Sequence, residues 1–159
     1  MIGVISDTHD NLDAVRRAVR FFRGAGCSYV IHAGDFVAPF AARELEGLDC
    51  PVKAVYGNCD GERDGLEKAL LPFGEIHNAP FLFSLHGLRF LLSHIPVPRL
   101  ESSPERLDVC IFGHTHRPEV RRNRGLLILN PGEAGGWVSG RSSVALLDPR
   151  TREAEIVYV

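Results

Sequence analysis

The most constraining feature of this chain is a set of strand-like apolar runs that each end on a residue suited to bind metal. Five such runs occur, and the residues that follow them are Asp7 and His9, Asp35, Asn58, His94, and His114 with His116. In an open α/β sheet, ligands bind just beyond the carboxyl ends of the strands. We therefore predict that these seven side chains form one site.

The order of the segments predicts the fold class. In the first half, strand-like runs alternate with helices predicted from Asn11 to Arg23, Ala38 to Leu45 and Glu62 to Leu71. This alternation favours a parallel sheet with right-handed crossovers. The second half is rich in strands, with a tight hairpin turn at His86-Gly87. We expect one α/β (α+β) domain over residues 1–159, in which two mixed β-sheets pack face to face with helices outside.

Composition excludes some classes of partner. The net charge is −2 and the pI is about 6.4, which argues against a nucleic-acid partner held by a basic surface. The sequence shows no targeting segment and no apolar run near the ~20 residues that a membrane span needs. The four cysteines form no CxxC pair, so we expect reduced thiols. We predict a cytoplasmic protein.

The residue types at the strand ends indicate the metal chemistry. Carboxylate, imidazole and amide ligands suit Mn²⁺, Fe²⁺, Ni²⁺ or Zn²⁺. Because the expected set contains no cysteine, we do not expect a structural zinc site. Seven ligands exceed the needs of one ion but fit two ions that share a carboxylate. Two metals ~3.5–4 Å apart can hold a bridging hydroxide and clamp a phosphoryl group.

These motifs also resemble a known family. Asp7-Thr8-His9, Gly34-Asp35, Gly57-Asn58, His94, Gly113-His114-Thr115-His116 and Asn130-Pro131-Gly132 carry the resemblance. In this order they are similar to the calcineurin-like metallophosphoesterase superfamily, and their spacing resembles its small YfcE-type phosphodiesterase branch. The resemblance covers Ile2 to about Gly132 and implies a four-layer αββα sandwich.

The resemblance implies a role for each matching residue. Asp7, His9 and His116 would hold the first metal, and Asn58, His94 and His114 would hold the second. Asp35 would bridge the two ions. Asn58 would also contact a phosphate oxygen, which makes Asn58 and Asp35 the expected catalytic pair. Mn²⁺ is the expected ion, with Ni²⁺, Fe²⁺ or Zn²⁺ as alternatives.

Three positions depart from the superfamily's usual pattern. Cys59 follows Asn58 where many members carry a histidine that protonates the leaving group, although Cys59-Asp60 is common in the YfcE-like branch. A thiol with a reference pKa near 8.5 is a poor substitute for imidazole. We therefore expect good leaving groups, such as those of aryl phosphodiesters, to be favoured. Ile95 stands where glycine is usual and is expected to narrow the pocket or to redirect the loop that follows it, and Glu133 replaces a serine.

Several other residues near the motifs could have either a functional or a structural role. Cys59 and Arg117 are candidate substrate contacts, although Arg117 is equally well explained as a solvated charge. His32 is expected to support the site or to pack, and Asn11 to cap a helix. Trp137 is expected at a pocket rim or a subunit contact. The remaining loop arginines are expected to be surface charges: Arg99, Arg106 and Arg141.

Two functions from different classes follow from these predictions. The leading hypothesis is a metal-dependent phosphodiesterase that acts on small phosphodiesters through a dinuclear centre and a bridging hydroxide. The alternative is a catalytically weak protein-interaction scaffold of the same fold, like the small retromer subunit. A nuclease is disfavoured by the acidic pI. We expect no membrane partner, and a homo-oligomer stays open.

Overall fold

A computed structural model describes residues 1–98 and 106–159. The strands are β1 (Ile2–Ile5), β2 (Tyr29–His32), β3 (Val52–Val55), β4 (Gly74–His77), β5 (Phe81–Leu85), β6 (Leu88–Leu92), β7 (Val109–Ile111), β8 (Glu119–Asn123), β9 (Leu126–Asn130), β10 (Ser143–Asp148) and β11 (Glu153–Tyr158). The helices are α1 (Leu12–Gly24), α2 (Pro39–Ala42) and α3 (Arg63–Leu70), and a 3-10 helix covers Arg43–Gly47.

The strands form two mixed sheets. The first has the order β11-β10-β1-β2-β3-β4, in which β1 to β4 are parallel and β10 and β11 are antiparallel. The second has the order β5-β6-β7-β9-β8, with β6, β7 and β9 parallel. Leu85 pairs with Leu88 across the predicted hairpin turn. The prediction of two mixed sheets is confirmed.

Alternation along the strands builds two apolar layers. Ile2 and Val4 of β1 face the layer between the sheets, where they join side chains of the second sheet such as Leu92 and Ile111. Ile5, of opposite parity to Val4, joins the layer under α1 with Phe22. Because successive side chains of a strand point to opposite faces, the first sheet is covered on both sides at its centre, where strands β1, β2 and β3 are almost wholly buried.

Helix α1 begins and ends as its sequence predicts. The Asn11 side chain accepts a hydrogen bond from the Ala14 N–H at 3.2 Å, which satisfies one of the free donors of the first turn. The role of Asn11 as a cap is therefore confirmed. The helix buries one face against the first sheet, through Ala14, Val15, Ala18, Val19 and Phe22.

The structure departs from the sequence-based expectation in the following elements. Strand β4 was not predicted. The helix predicted from Ala38 to Leu45 is α-helical only over Pro39–Ala42 and continues as the 3-10 helix. Cys110 and Ile128 lie on the outer face of the second sheet, and in residues 1–98 and 106–159 no helix covers that face. Arg99 falls outside the described residues. Within those ranges, no helix is both long enough and apolar enough to cross a membrane.

Candidate metal centre

The first group of predicted ligands lies beyond β1 and β7. Nε2 of His9 is 3.9 Å from Oδ1 of Asp7, and Nε2 of His116 is 3.4 Å from the same oxygen. Asp7 is buried, whereas the two imidazoles are partly open to solvent. The His9 and His116 rings stack with their centroids 5.3 Å apart. One carboxylate and two imidazole nitrogens thus converge on one space.

The second group meets around the side-chain oxygen of Asn58. Nε2 of His94 and Nδ1 of His114 each lie 2.9 Å from Oδ1 of Asn58. Nδ1 of His94 is 2.8 Å from the Ala33 carbonyl. That contact fixes the ring orientation and leaves Nε2 facing the site. Asn58 follows the first sheet and the two histidines follow the second, so this group joins both sheets.

Asp35 connects the two groups. Its Oδ2 lies 3.6 Å from Nε2 of His9 and 3.2 Å from Nε2 of His94. Burial alone would raise the pKa of the Asp35 carboxyl. Hydrogen bonding to His94 and to the Cys59 N–H outweighs burial and lowers this pKa to about 2. Asp35 is therefore an anion in contact with one histidine of each group.

The backbone of the site adopts a left-handed conformation that residues other than glycine rarely adopt. Five of the seven predicted ligands have positive φ: Asp7, His9, Asp35, His114 and His116. Non-glycine residues in this region cost free energy and concentrate at functional sites. Hydrogen bonds between the loops hold the strained segment, including those from the Thr8 and His9 N–H groups to the Asp35 carbonyl. The strain therefore lies in the loops that present the ligands.

Two glycines let these loops approach closely. A Cβ at Gly57 would lie 2.1 Å from Oδ1 of Asp35, and one at Gly113 would lie 2.6 Å from Oδ2 of Asp7. Real Cβ atoms do not approach other atoms so closely. Any side chain at either position would therefore displace a carboxylate. This explains why glycine precedes both Asn58 and His114.

The donor set fits divalent metal ions. Nε2 of His9 is buried and has no hydrogen-bond partner among the residues that the structure describes, yet it faces two carboxylates. An orphaned nitrogen in this position is explained by a cation that it would share with the acids. In the part of the chain that the structure describes, three sets of His, Cys, Asp or Glu residues have ligand atoms within 4.8 Å of one another: Asp7, His9 and His116; Asp7, Asp35 and His94; and His9, Asp35 and Cys59.

Cys59 and Arg117 differ in their distance from this centre. The Cys59 thiol lies within 4.8 Å of the ligand atoms of His9 and Asp35, although no cysteine was expected among the ligands. Burial and the neighbouring Asp35 carboxylate raise the pKa of this thiol. Arg117 is exposed and lines a separate surface cavity with Thr115 and Glu119. The structure therefore places the Cys59 thiol beside the predicted ligands, and it places Arg117 at an exposed cavity beside Thr115.

His32 supports the site from below. It is fully buried and stacks on Phe36 with 3.5 Å between ring centroids. Its Nδ1 accepts a hydrogen bond from the Gly34 N–H, and its Nε2 lies 3.4 Å from the Thr8 hydroxyl. Burial lowers its pKa well below the usual value. The neutral ring thus links the loops after β1 and β2, and the supporting and packing roles expected for His32 are both present.

Asp60 fastens two of the ligand loops and was not singled out from the sequence. Its Oδ2 accepts hydrogen bonds from the N–H groups of Asp35 (3.0 Å) and Gly57 (2.7 Å), and its Oδ1 accepts one from Val37 (2.8 Å). The carboxylate is buried. Only its place in the segment Asn58-Cys59-Asp60 could have drawn attention to it. It sets the spacing between the Asp35 and Asn58 loops.

Glu133 replaces the serine that is usual in the superfamily, and the sequence alone offers no reason for this change. In the structure its carboxylate contacts the predicted ligand His116. It is fully buried, with Oε1 3.2 Å from Nδ1 of His116. Its two oxygens also accept hydrogen bonds from the Val138 and Ser139 N–H groups. Trp137 directly precedes these amides in the chain, and its indole N–H donates to the His9 carbonyl at 3.0 Å. Glu133 therefore connects His116 to the segment that carries the exposed Trp137.

Proteins named as phosphodiesterases resemble this chain in sequence and in fold. Phosphodiesterase MJ0936 of Methanocaldococcus jannaschii is 35% identical over 96% of this chain and 95% of its own length. Phosphodiesterase YfcE of Escherichia coli K12 is 30% identical over 90% of this chain and 84% of its own. The solved structure of an archaeal phosphodiesterase superposes with a TM-score of 0.92 at 32% identity and covers 99% of both chains.

The fold is also shared with proteins of another kind. Vps29 of Chaetomium thermophilum superposes with a TM-score of 0.68 at 17% identity, over 99% of this chain and 95% of its own, which shows a common fold alone. The sequence profile of the calcineurin-like phosphoesterase superfamily domain matches residues 1–152. Together with the YfcE-type relatives, this match shows that the chain belongs to the calcineurin-like phosphoesterase superfamily, in its YfcE-type branch.

Proposed function

We propose that this protein is a metal-dependent phosphodiesterase that hydrolyses small phosphodiesters at a dinuclear centre through a bridging hydroxide. The observation that carries the proposal is the position of Asp35, whose Oδ2 lies within 3.6 Å of one histidine from each ligand group. A single shared carboxylate between two sets of nitrogen and oxygen donors suits a pair of divalent ions. Relatives named as phosphodiesterases support this assignment.

The seven predicted ligands divide between the two ions. Asp7, His9 and His116 would hold the first ion, and Asn58, His94 and His114 would hold the second, with Asp35 shared. When bound, the ions lower the pKa of a water held between them and neutralise negative charge on the phosphoryl oxygens. Only two of the ligands are anionic. Two dications therefore leave net positive charge at the site, which favours an anionic phosphodiester.

Asn58 and Cys59 determine which leaving groups depart easily. Nδ2 of Asn58 lies 3.3 Å from Sγ of Cys59 on the exposed side of the site, where the amide can donate to a phosphoryl oxygen. A thiol, with a reference pKa near 8.5, is a weaker proton donor to a departing oxygen near pH 7 than an imidazolium would be. Aryl diesters, whose leaving groups need no protonation, should therefore react faster than alkyl diesters.

The test compares bis-p-nitrophenyl phosphate with p-nitrophenyl phosphate in the presence of Mn²⁺, Ni²⁺ or EDTA. We expect turnover of the diester that requires metal, is highest with Mn²⁺ and is lost in Asp35→Asn. The matched control is Asp13→Asn, which makes the same change at an exposed position of α1 and should keep wild-type activity.

If neither ester is hydrolysed in any condition while two ions are bound per chain, the phosphodiesterase proposal is refuted and the protein-interaction scaffold is favoured. Metal content measured by elemental analysis on the same samples separates that result from a failure to load metal. Turnover that persists in EDTA or in Asp35→Asn would refute the shared-carboxylate centre.

A further inference from the structure

A cleft of about 470 Å³ opens directly beside the predicted second metal site. Asn58 and His94 form part of its lining, so a phosphodiester bound at the site would extend into it. Its volume lies in the range of ~300–1,000 Å³ that is typical of small-molecule sites.

One part of the lining is apolar. It is formed by Pro80 and by the consecutive residues Ile95, Pro96, Val97 and Pro98. Ile95, directly after His94, is 55% exposed, so its side chain is available to a ligand. Proline rings and branched aliphatic side chains lose little conformational entropy when a ligand packs on them. This surface favours a flat apolar face over a hydrated chain.

Another part of the lining carries a fixed, planar cation. The guanidinium of Arg63 lies over the ring of Tyr56, with 4.8 Å from Cζ to the ring centroid. Its Nη1 donates to Oδ1 of Asn78 at 3.0 Å. All three residues line the cleft. Arginine planes stack on aromatic systems, and arginine and asparagine are the usual partners of the polar edges of bases.

We propose that this cleft binds a planar aromatic group of the diester, the chemistry shared by a nucleobase and an aryl ring. The proposal rests on the function proposed above, because that function places the phosphoryl group at Asn58 and His94. The aliphatic wall accepts the ring face, and Arg63 with Asn78 contacts its edge. The substrates would then be nucleotide or aryl phosphodiesters rather than diesters of small polyols.

The test measures binding of monoester products by calorimetry, with Mn²⁺ and with EDTA. The first probe, adenosine 5′-monophosphate, carries a nucleobase, and the second, phenyl phosphate, carries an aryl ring. The third, ribose 5-phosphate, carries no aromatic ring. We expect at least one aromatic probe to bind about tenfold more tightly than ribose 5-phosphate, the effect of one stacked ring. The tighter of the two identifies the source of the ring.

Two variants in the cleft and one control complete the test. Arg63→Ala and Ile95→Gly should each reduce the aromatic advantage to less than about threefold while the affinity for ribose 5-phosphate stays unchanged. Arg20→Ala, at an exposed position of α1, should leave the advantage intact. Equal affinity for all three probes, or an advantage that survives both cleft variants, would overturn the proposal.

Turnover of bis-p-nitrophenyl phosphate on the same samples separates this inference from the proposed function. Diester hydrolysis without an aromatic advantage removes the cleft proposal and keeps the phosphodiesterase. The protein could instead hydrolyse no diester and still show an aromatic advantage that both cleft variants lose. That result would refute the phosphodiesterase proposal and support the proposal for the cleft.

Discussion

Asp60→Asn tests whether a buried carboxylate outside the predicted ligand set holds the site together. In the wild type, both Asp60 oxygens accept backbone N–H groups, two at Oδ2 and one at Oδ1. The substituted amide keeps one oxygen, which can serve Asp35 and Gly57, and turns an N–H₂ group toward the Val37 N–H. One hydrogen bond becomes a contact between two donors, and the other two lose the assistance of the charge.

The magnitude follows from these three bonds. Hydrogen bonds to charged groups contribute about 1.5–3 kcal/mol, compared with about 0.5–1.5 for neutral ones, and an unsatisfied buried donor costs about 1–3 kcal/mol. We expect a loss of about 3–5 kcal/mol in the free energy of unfolding, which lowers Tm by roughly 10 °C in a chain of this size. Metal affinity should fall about 10–100-fold, as is typical when a supporting partner is removed.

Urea unfolding with EDTA present measures the first quantity without a contribution from metal binding, and calorimetric titration with Mn²⁺ measures the second. Asp64→Asn is the matched control, because Asp64 is exposed in the first turn of α3. We expect it to change stability by less than about 1 kcal/mol. If Asp60→Asn is as stable as this control and binds Mn²⁺ equally well, the reasoning from the three hydrogen bonds is wrong.

Three further perturbations have defined outcomes. Glu133→Gln should weaken Mn²⁺ binding about 10–100-fold and change Trp137 fluorescence, because it loosens His116 and the rim loop together; unchanged fluorescence would show that the two are not coupled. Cys59→Ser should keep aryl diester turnover within about threefold, since an aryl leaving group departs without a proton donor; a hundredfold loss in kcat would give the thiol a catalytic role. Mn²⁺ at about a hundred times its Kd should raise the free energy of unfolding by about 2.7 kcal/mol over the EDTA sample, and equal unfolding midpoints in urea would contradict binding to the folded state.

The sequence predicts the elements that bury apolar surface at a regular period. Helix α1 is predicted well because five of its residues form a buried stripe behind an asparagine cap. Strand β4 is missed because its four residues contain only one buried position, Ile76. Pro72 and Gly74 indicate a break there, and only pairing with β3 makes the segment a strand. The 3-10 continuation of α2 likewise depends on packing, which sequence period does not encode.

At the site, the sequence predicts residue types better than it predicts their connections. The strand-end rule identifies Asp35 and Asn58, because topology alone brings such positions to one edge. It gives no information on Asp60 or Glu133, whose partners are mostly backbone N–H groups. Every residue except proline has a backbone N–H group, so a carboxylate that accepts from such groups leaves almost no pattern in its partners' sequence. The Cys59 thiol reaches the ligand atoms through the turn after β3, which spacing cannot specify.

The ligands are divided between the two sheets, and this division has a mechanical consequence. Asp7, Asp35 and Asn58 follow strands of the first sheet, and His94 and His116 follow strands of the second. Ions held at the proposed centre would cross-link the two sheets at this end of the sandwich, as a disulfide would. Because a metal tolerates only small changes in its ligand distances, sliding one sheet along the other would separate the donors. Retention of metal would therefore report on the relative position of the two sheets.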